Sequence, residues 1–395
     1  MPNAFLTPTA VTREALRVLH QKLNFIGNVN RGYDDQFAKK GAKIGDTLNV
    51  RLPNQYVYRR GPTLNAQDTA ETSVPVQISN QGGVDLNFTS ADLTLKLDDF
   101  SERILEPAMA VVAANMEADA FGMMLDVYNS VNNIGSPAAF LSVLQARKAL
   151  NDNLTPVDNN RSFILNTQDN VDLVNALKGL FQDSATISKQ YREGMMGRTS
   201  GFDFYENTIL PSQATGTCAA ATGYTISGAN QLGGTLAVAT GANTFAKGDI
   251  ITLPGVYRVH PETKAVTAVL QPFVVTAPYA GGAGSLSISP AIVTSGGSQN
   301  VSASPANGGA ITKIGAASGT YNPSLAFHRD AFVFATADLV MPEGVDFASR
   351  QVMDGLSIRI VRQYDINNDK FPCRLDVLYG FKTVRPQLAC RILSN

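Results

Sequence analysis

The sequence predicts an α+β fold with an all-β domain inserted into it, on two changes of composition and one long helical stripe. Residues 212–325 hold 17 of the 33 glycines but only six charged residues, in a chain that is 16% charged overall. Short apolar runs alternate there with turns, the pattern of a barrel or sandwich. On either side, helical and strand periodicities mix. From Ile104 to Tyr128 apolar residues recur at three- and four-residue spacing, which marks a long helix.

Composition sets the outer limits. With 395 residues the chain has room for about two to three domains. A hydrophobic content of 44% excludes a disordered chain, and a net charge of −1 lacks the basic excess of a dedicated nucleic-acid binder. Cys218, Cys373 and Cys390 are odd in number and form no C-x-x-C, so neither a disulfide framework nor a zinc ribbon is indicated, and a reducing cytosol fits. The first residues show no basic-then-apolar leader. No uncharged run of 18 or more apolar residues occurs, so no membrane partner is expected.

Taken in order, residues 1–44 form a basic arm. Residues 1–60 carry ten Lys and Arg against four Asp and Glu. Leu16, Leu19, Leu23 and Ile26 give one apolar helix face, with Arg13, Arg17 and Lys22 on others. Residues 45–97 alternate as strands through Leu48–Leu52, Val74–Ile78 and Val84–Phe88, a long excursion whose tip holds Arg59-Arg60-Gly61-Pro62. Residues 98–131 hold the long helix, capped by Asp98 or Ser101 and running from about Asp99 to Asn129, near 45 Å. Pro107 marks its first turn or a kink.

Residues 132–211 read as mixed α/β. Ser136-Pro137 opens a helix to Leu150, Phe163–Leu165 is a buried strand, Thr167 caps a second helix, and Gly201–Tyr205 is another strand. In the insertion, 212–325, strands are expected at Thr235–Val238, Asp249–Leu253, Val266–Leu270, Phe273–Thr276, Ser285–Ser289 and Ala310–Ile314. Residues 326–355 and 356–395 return to strands at Phe332–Thr336, Leu356–Tyr364, Cys373–Phe381 and Leu388–Leu393, the middle two as an antiparallel pair.

Catalytic patterns are sparse. No P-loop and no G-x-S-x-G elbow occurs, and Gly281-Gly282-Ala283-Gly284 reads as a hairpin turn. His20, His260 and His328 lie in three separate regions. Asp365-x-Asn367-x-Asp369 with Asp376 has calcium-loop spacing, but Lys370 stands where that loop needs glycine, and a turn between strands explains the same residues. No enzyme, cofactor or metal site is expected. The combination suits a part that contacts copies of itself.

The chain resembles the major capsid proteins of tailed bacteriophages, closest to the short-tailed-phage coat proteins that carry an inserted β-barrel. The resemblance rests on Leu95–Arg103 leading into the helix, Gly201–Tyr205 with Leu210-Pro211 before the insertion, and Lys247–Ile251 with Gly255-Val256 and His260–Lys264 inside it. Leu325–Phe332 at the exit and Tyr379–Pro386 near the end complete it. It implies the tailed-phage capsid fold: an N-terminal arm (1–44), an extended loop over the next subunit (45–97) and the spine helix of a peripheral domain (98–131). An axial domain (132–211 and 326–355), the insertion (212–325) and peripheral strands with the C-terminus (356–395) follow. It further implies a shell of hexamers and pentamers of this chain around double-stranded DNA, in the virion after assembly in the host cytoplasm. Its partners would be scaffolding protein, a portal and, non-specifically, packaged DNA. Arg59 and Arg60 are then candidate inter-subunit contacts, and Arg13, Arg17 and Lys22 a candidate face towards scaffolding protein or DNA. The alternatives are an encapsulin-like cellular compartment, which shares the fold, and a carbohydrate-binding or adhesive protein.

Overall fold

A computed structural model describes residues 8–31, 47–64, 66–68, 71–88, 104–177, 197–239, 241–353, 356–366 and 370–394. The chain divides into two units. The first takes residues 1–50, 74–120 and 332–384, and the second takes 51–73, 121–331 and 385–395.

The first unit is built on a five-stranded sheet. Its strands are β3 (Asn80–Phe88), β17 (Phe332–Ala337), β18 (Phe347–Met353), β19 (Leu356–Arg362) and β20 (Phe371–Thr383). β20 is the long central strand, with β3 along one edge and β19 and β17 end to end along the other. A separate pair joins β1 (Thr47–Arg51) to β2 (Ser73–Gln77). Helix α1 (Pro8–Lys22) lies on β18 and β19, burying Leu16 and Leu19; Leu23 and Ile26 beyond it are buried too. The short α2 (Phe25–Asn28) follows, and the Phe25 amide donates to the buried Glu117 carboxylate at 2.6 Å. Asn30 then bridges to Val333, so the basic arm is built into this unit at least to that residue.

Helix α3 (Glu106–Phe121) is 16 residues, about 24 Å, and not the 45 Å the stripe suggests. It stops at Gly122, and Gly122–Asp126 tighten into a 3₁₀ turn before Val127 extends. Pro107 sits in its first turn, while the expected caps Asp98 and Ser101 and the 95–103 lead lie outside the described residues. Glu106–Asp126 is long and apolar enough to cross a membrane. However, 56% of its apolar window is buried within the protein and Glu117 is hydrogen-bonded there, as in a core helix.

The second unit holds a six-stranded sheet and a barrel. The sheet runs β4 (Ser130–Asn132), β21 (Ala389–Leu393), β16 (Ser324–His328), β5 (Arg161–Leu165), β7 (Phe202–Glu206) and β6 (Arg198–Thr199). Helices α4 (Phe140–Asp152) and α5 (Thr167–Leu177) pack on it over Phe163, Phe202 and Phe204; the Phe163 and Phe204 rings stack at 5.0 Å. Two starts differ from expectation. α4 begins at Phe140, three residues after Pro137. The cap of α5 is Asn166, not Thr167, its Oδ1 accepting the Asp169 amide at 2.7 Å.

The barrel closes in the order β10-β13-β12-β11-β14-β9. Its strands are β9 (Ala221–Ile226), β10 (Gly233–Ala239), β11 (Ile250–Val259), β12 (Val266–Val275), β13 (Gly284–Ile292) and β14 (Ala310–Lys313). Below it a neck pairs β8 (Gln213–Ala214) with β15 (Thr320–Tyr321). The core is aliphatic and aromatic, around Tyr224, Phe245, Phe273, Leu286 and Ile288. Gly241, at φ +130°, is needed because a Cβ there would stand 2.6 Å from the Tyr224 ring. Two strands expected as separate are one: β12 runs through Pro272. Proline is tolerated because β13 joins β12 only at Val274 and Val275, so no ladder bond on that edge is lost. β9, with Gly223 inside it, was not foreseen.

The return of the chain divides elsewhere than at 355/356. Residues 324–328 lie in the six-stranded sheet, 332–353 join the five-stranded sheet, and 389–393 come back to the first. Asp376, the twelfth position of the calcium-like pattern, is held by Arg359 at 2.6 Å and Arg374 at 2.7 Å, so it is spent on an ion-pair cluster. Asn367–Asp369 lie outside the described residues.

Candidate functional site

The neck under the barrel brings together several of the second unit's buried polar groups. Arg391, on β21, is fully buried; Nη1 donates to Gln213 Oε1 at 2.6 Å and Nη2 to the Gly248 carbonyl at 3.0 Å. Gln213 Nε2 donates to the same carbonyl at 2.8 Å. The site needs a glycine at 248: φ is +94°, and a Cβ would press on the Leu125 side chain. Burial pulls the Arg391 guanidinium down to about 10, which leaves it charged at neutral pH.

Next to it, the buried Asp249 carboxylate accepts the Ala246 amide at 2.9 Å and the Gly216 amide at 3.1 Å; burial raises its pKa against the help of those bonds. Lys313 Nζ donates to the Ala316 carbonyl at 3.0 Å, and burial lowers its pKa. Asn129 links the other side. Its Nδ2 donates to the Ala389 carbonyl at 3.0 Å, and its Oδ1 accepts from Arg258 Nη2 at 3.1 Å. Lys247 pairs with Asp126 at 3.1 Å.

These bonds account for the charge-poor composition of the insertion. Of its six charged residues, Lys247, Asp249, Arg258 and Lys313 serve the base of the barrel. Lys264 turns inward onto the carbonyls of Pro261 and Gly297, each at 2.5 Å. What faces outward is mostly Thr, Ser, Ala, Gly and Asn.

Chemistry beyond this holding function has few candidates. Burial pushes the Cys218 thiol up to about 11 and those of Cys373 and Cys390 up to about 12, away from nucleophilic character. His260 Nδ1 accepts the amides of Glu262 and Thr263 and shapes a turn. His328 accepts the Asp330 amide at Nδ1, leaving Nε2 to donate to Asp158 at 3.2 Å. No group of three His, Cys, Asp or Glu suited to a metal occurs among the described residues.

The residues singled out from sequence fall in two places. Arg13 and Arg17 are exposed on α1, with Arg17 bound to Glu14 at 2.6 Å; Lys22 ends that helix. Arg59 and Arg60 are exposed in residues 52–64, beside Tyr58 and Leu64, each more than 80% exposed. The Arg59 guanidinium donates to the carbonyls of Gly61 and Thr63 and so folds its own loop. Sequence reasoning missed the neck, whose bonds span up to 260 residues and carry no local pattern.

Comparison with known proteins gives a family match over part of the chain. Residues 231–392 match the family model described as P22 coat protein, gene protein 5. Over these residues, which are under half of the chain, it is similar to that coat-protein family. The match spans most of the barrel, the return through the five-stranded sheet and nearly all of β21. No curated protein matches this sequence significantly. Among solved structures, it is similar to the Mycobacterium phage Che8 protein at 12% identity over 94% of this chain and 90% of that one, TM-score 0.45. The bacteriophage PhiM1 mature capsid gives 9% identity over 94% and 89%, TM-score 0.41. The virus-like particle from Pyrococcus furiosus gives 8% over 97% of each chain, TM-score 0.39.

Proposed function

We propose that the chain is the major capsid protein of a tailed phage and builds the virion shell as hexamers and pentamers, by contact alone and without catalysis. Assembly takes place in the host cytoplasm around scaffolding protein and a portal, and packaged DNA is met only through non-specific charge. The unit with the five-stranded sheet and α3 serves as the peripheral domain, and the six-stranded sheet as the axial one. Residues 52–64 reach a neighbouring subunit.

The observation that carries this reading is the exposed run of residues 52–64, outside helix and strand, with Tyr58, Arg60 and Leu64 at the surface. Because Arg59 is engaged with its own loop, Arg60 is the arginine that reaches a neighbour's carboxylate, and Arg59 holds the loop that presents it. Arg13 and Arg17 sit on the outer face of a helix whose other face is buried, a placement suited to an acidic partner inside the shell.

The test compares particle yield with monomer melting. Arg60→Glu is expected to cut yield with the melt unchanged, and high salt given to wild type should imitate it in part. Arg13→Glu with Arg17→Glu should impair particle formation in the same way. Normal yield from Arg60→Glu, or a parallel fall in melting, removes the inter-subunit role.

A further inference from the structure

Residues 52–64 belong to no helix or strand, yet they are tied down from base to tip. At the base the Leu52 amide donates to the Thr72 carbonyl at 2.8 Å, and Arg51 pairs with Glu71 at 3.1 Å. Next, the Gln55 backbone rests on Gly297, so closely that a Cβ there would stand 2.4 Å from the Gln55 carbonyl oxygen. Lys264 steadies that seat by donating to the Gly297 carbonyl at 2.5 Å. Further out, Gln67 holds Val57 by both backbone groups. The Val57 amide donates to Gln67 Oε1 at 2.8 Å, and Gln67 Nε2 donates to the Val57 carbonyl at 2.6 Å. At the tip Arg59 donates to the carbonyls of Gly61 and Thr63.

The Gln67 clamp imitates a strand partner, because an antiparallel neighbour also exchanges both bonds with one residue. An amide side chain suits this: Oε1 accepts while Nε2 donates. A carboxylate only accepts and an ammonium only donates. The two bonds bridge ten positions of the chain and enclose Arg59, Arg60, Gly61 and Pro62.

Burial does not account for these ties. Tyr58 is 82% exposed and Leu64 83%, and Gln67 itself is exposed. The run therefore gains little apolar stabilisation from its own order, while every fixed residue loses backbone entropy. What the order supplies is readiness. A segment already in its bound shape loses less freedom when a partner arrives.

We propose that Gln67 is a positioning residue, which sets residues 57–64 of the free subunit in the shape that presents Arg60 to a neighbouring subunit. This rests on the inter-subunit role of Arg60, and the two are read by different measurements. Gln67→Ala is expected to speed hydrogen exchange of the Val57 amide in the free subunit about tenfold, with the melt of the chain unchanged. Particle yield should fall several-fold, as for Arg60→Ala. The double variant should yield no less than Arg60→Ala alone, because Gln67 acts only through the arginine. Exchange of Val57 at the wild-type rate in Gln67→Ala overturns the positioning role. Losses that add in the double variant overturn it too, since Gln67 is then a contact in its own right. Wild-type yield from Arg60→Ala counts against the inter-subunit reading instead, and Val57 exchange still decides whether Gln67 sets the loop.

Discussion

The barrel and the six-stranded sheet belong to the same unit but bury different things. The barrel core is aliphatic and aromatic, with Cys218 beside it, and its strands all come from residues 221–313. The sheet draws strands from Ser130 to Leu393 and buries Arg161, Asp169, His328 and Arg391 along with its phenylalanines. A core made of nearby, apolar strands can close by itself. A sheet whose second strand is the last in the chain is complete only when the whole chain is present, and it is held by polar bonds between distant residues.

Cutting the chain gives the largest test of that contrast. Residues 212–323 alone should be soluble, β-rich and cooperative in melting. Removing 389–395 from the full chain should unfold the six-stranded sheet while the barrel keeps its protection from hydrogen exchange. A disordered barrel fragment would break the comparison. Next in size is Arg391→Ala. It leaves Gln213 and the Gly248 carbonyl short of a buried donor and should cost about 1–3 kcal/mol by denaturant unfolding. Arg391→Met should cost less than Arg391→Ala, because an apolar side chain fills the space without a buried charge.

A third test asks whether the barrel supports other segments. A Cβ at Gly297 would overlap the Gln55 carbonyl oxygen, so Gly297→Ala should loosen residues 52–64. A cost of about 1–3 kcal/mol is expected, seen as faster hydrogen exchange there with the barrel melt unchanged. The smallest effect is a pH slope. Asp169 accepts from Asn166, Ser324 and Ser394, yet burial raises its pKa above 3.8. The folded state thus binds this proton more tightly than the unfolded state. Its contribution to stability is full below 3.8 and falls as pH rises through the raised folded value. Asp169→Asn should flatten that part of the stability profile; an unchanged slope counts against it.

Strands were the legible part of the sequence. Alternation placed β19, β20 and β21 to within a few residues, because each buries one face or both against a fixed partner. The helix α3 was overread because hydropathy continues through Met123, Met124 and Tyr128, all buried, although Gly122 ends the helix. Pro272 was read as a break because sequence does not show that its edge is unpaired. The neck was illegible for a simpler reason: Gln213, Gly248 and Arg391 become neighbours only when three separate stretches meet. Arg59 was half legible, exposed as expected, but its bonds to Gly61 and Thr63 depend on a turn conformation that residue identities do not specify.

The neck has a consequence for how such a chain can change over time. β8 and β15 are adjacent antiparallel strands, so the path into the barrel and the path out run side by side, about 5 Å apart. A module entered and left through one narrow doorway can be lengthened, exchanged or lost without shifting the register of its host. The same doorway makes the barrel a natural carrier for foreign peptides. Sequence grafted into the exposed turn at residues 227–230, between β9 and β10, would be carried by every copy while the host sheet keeps its connections.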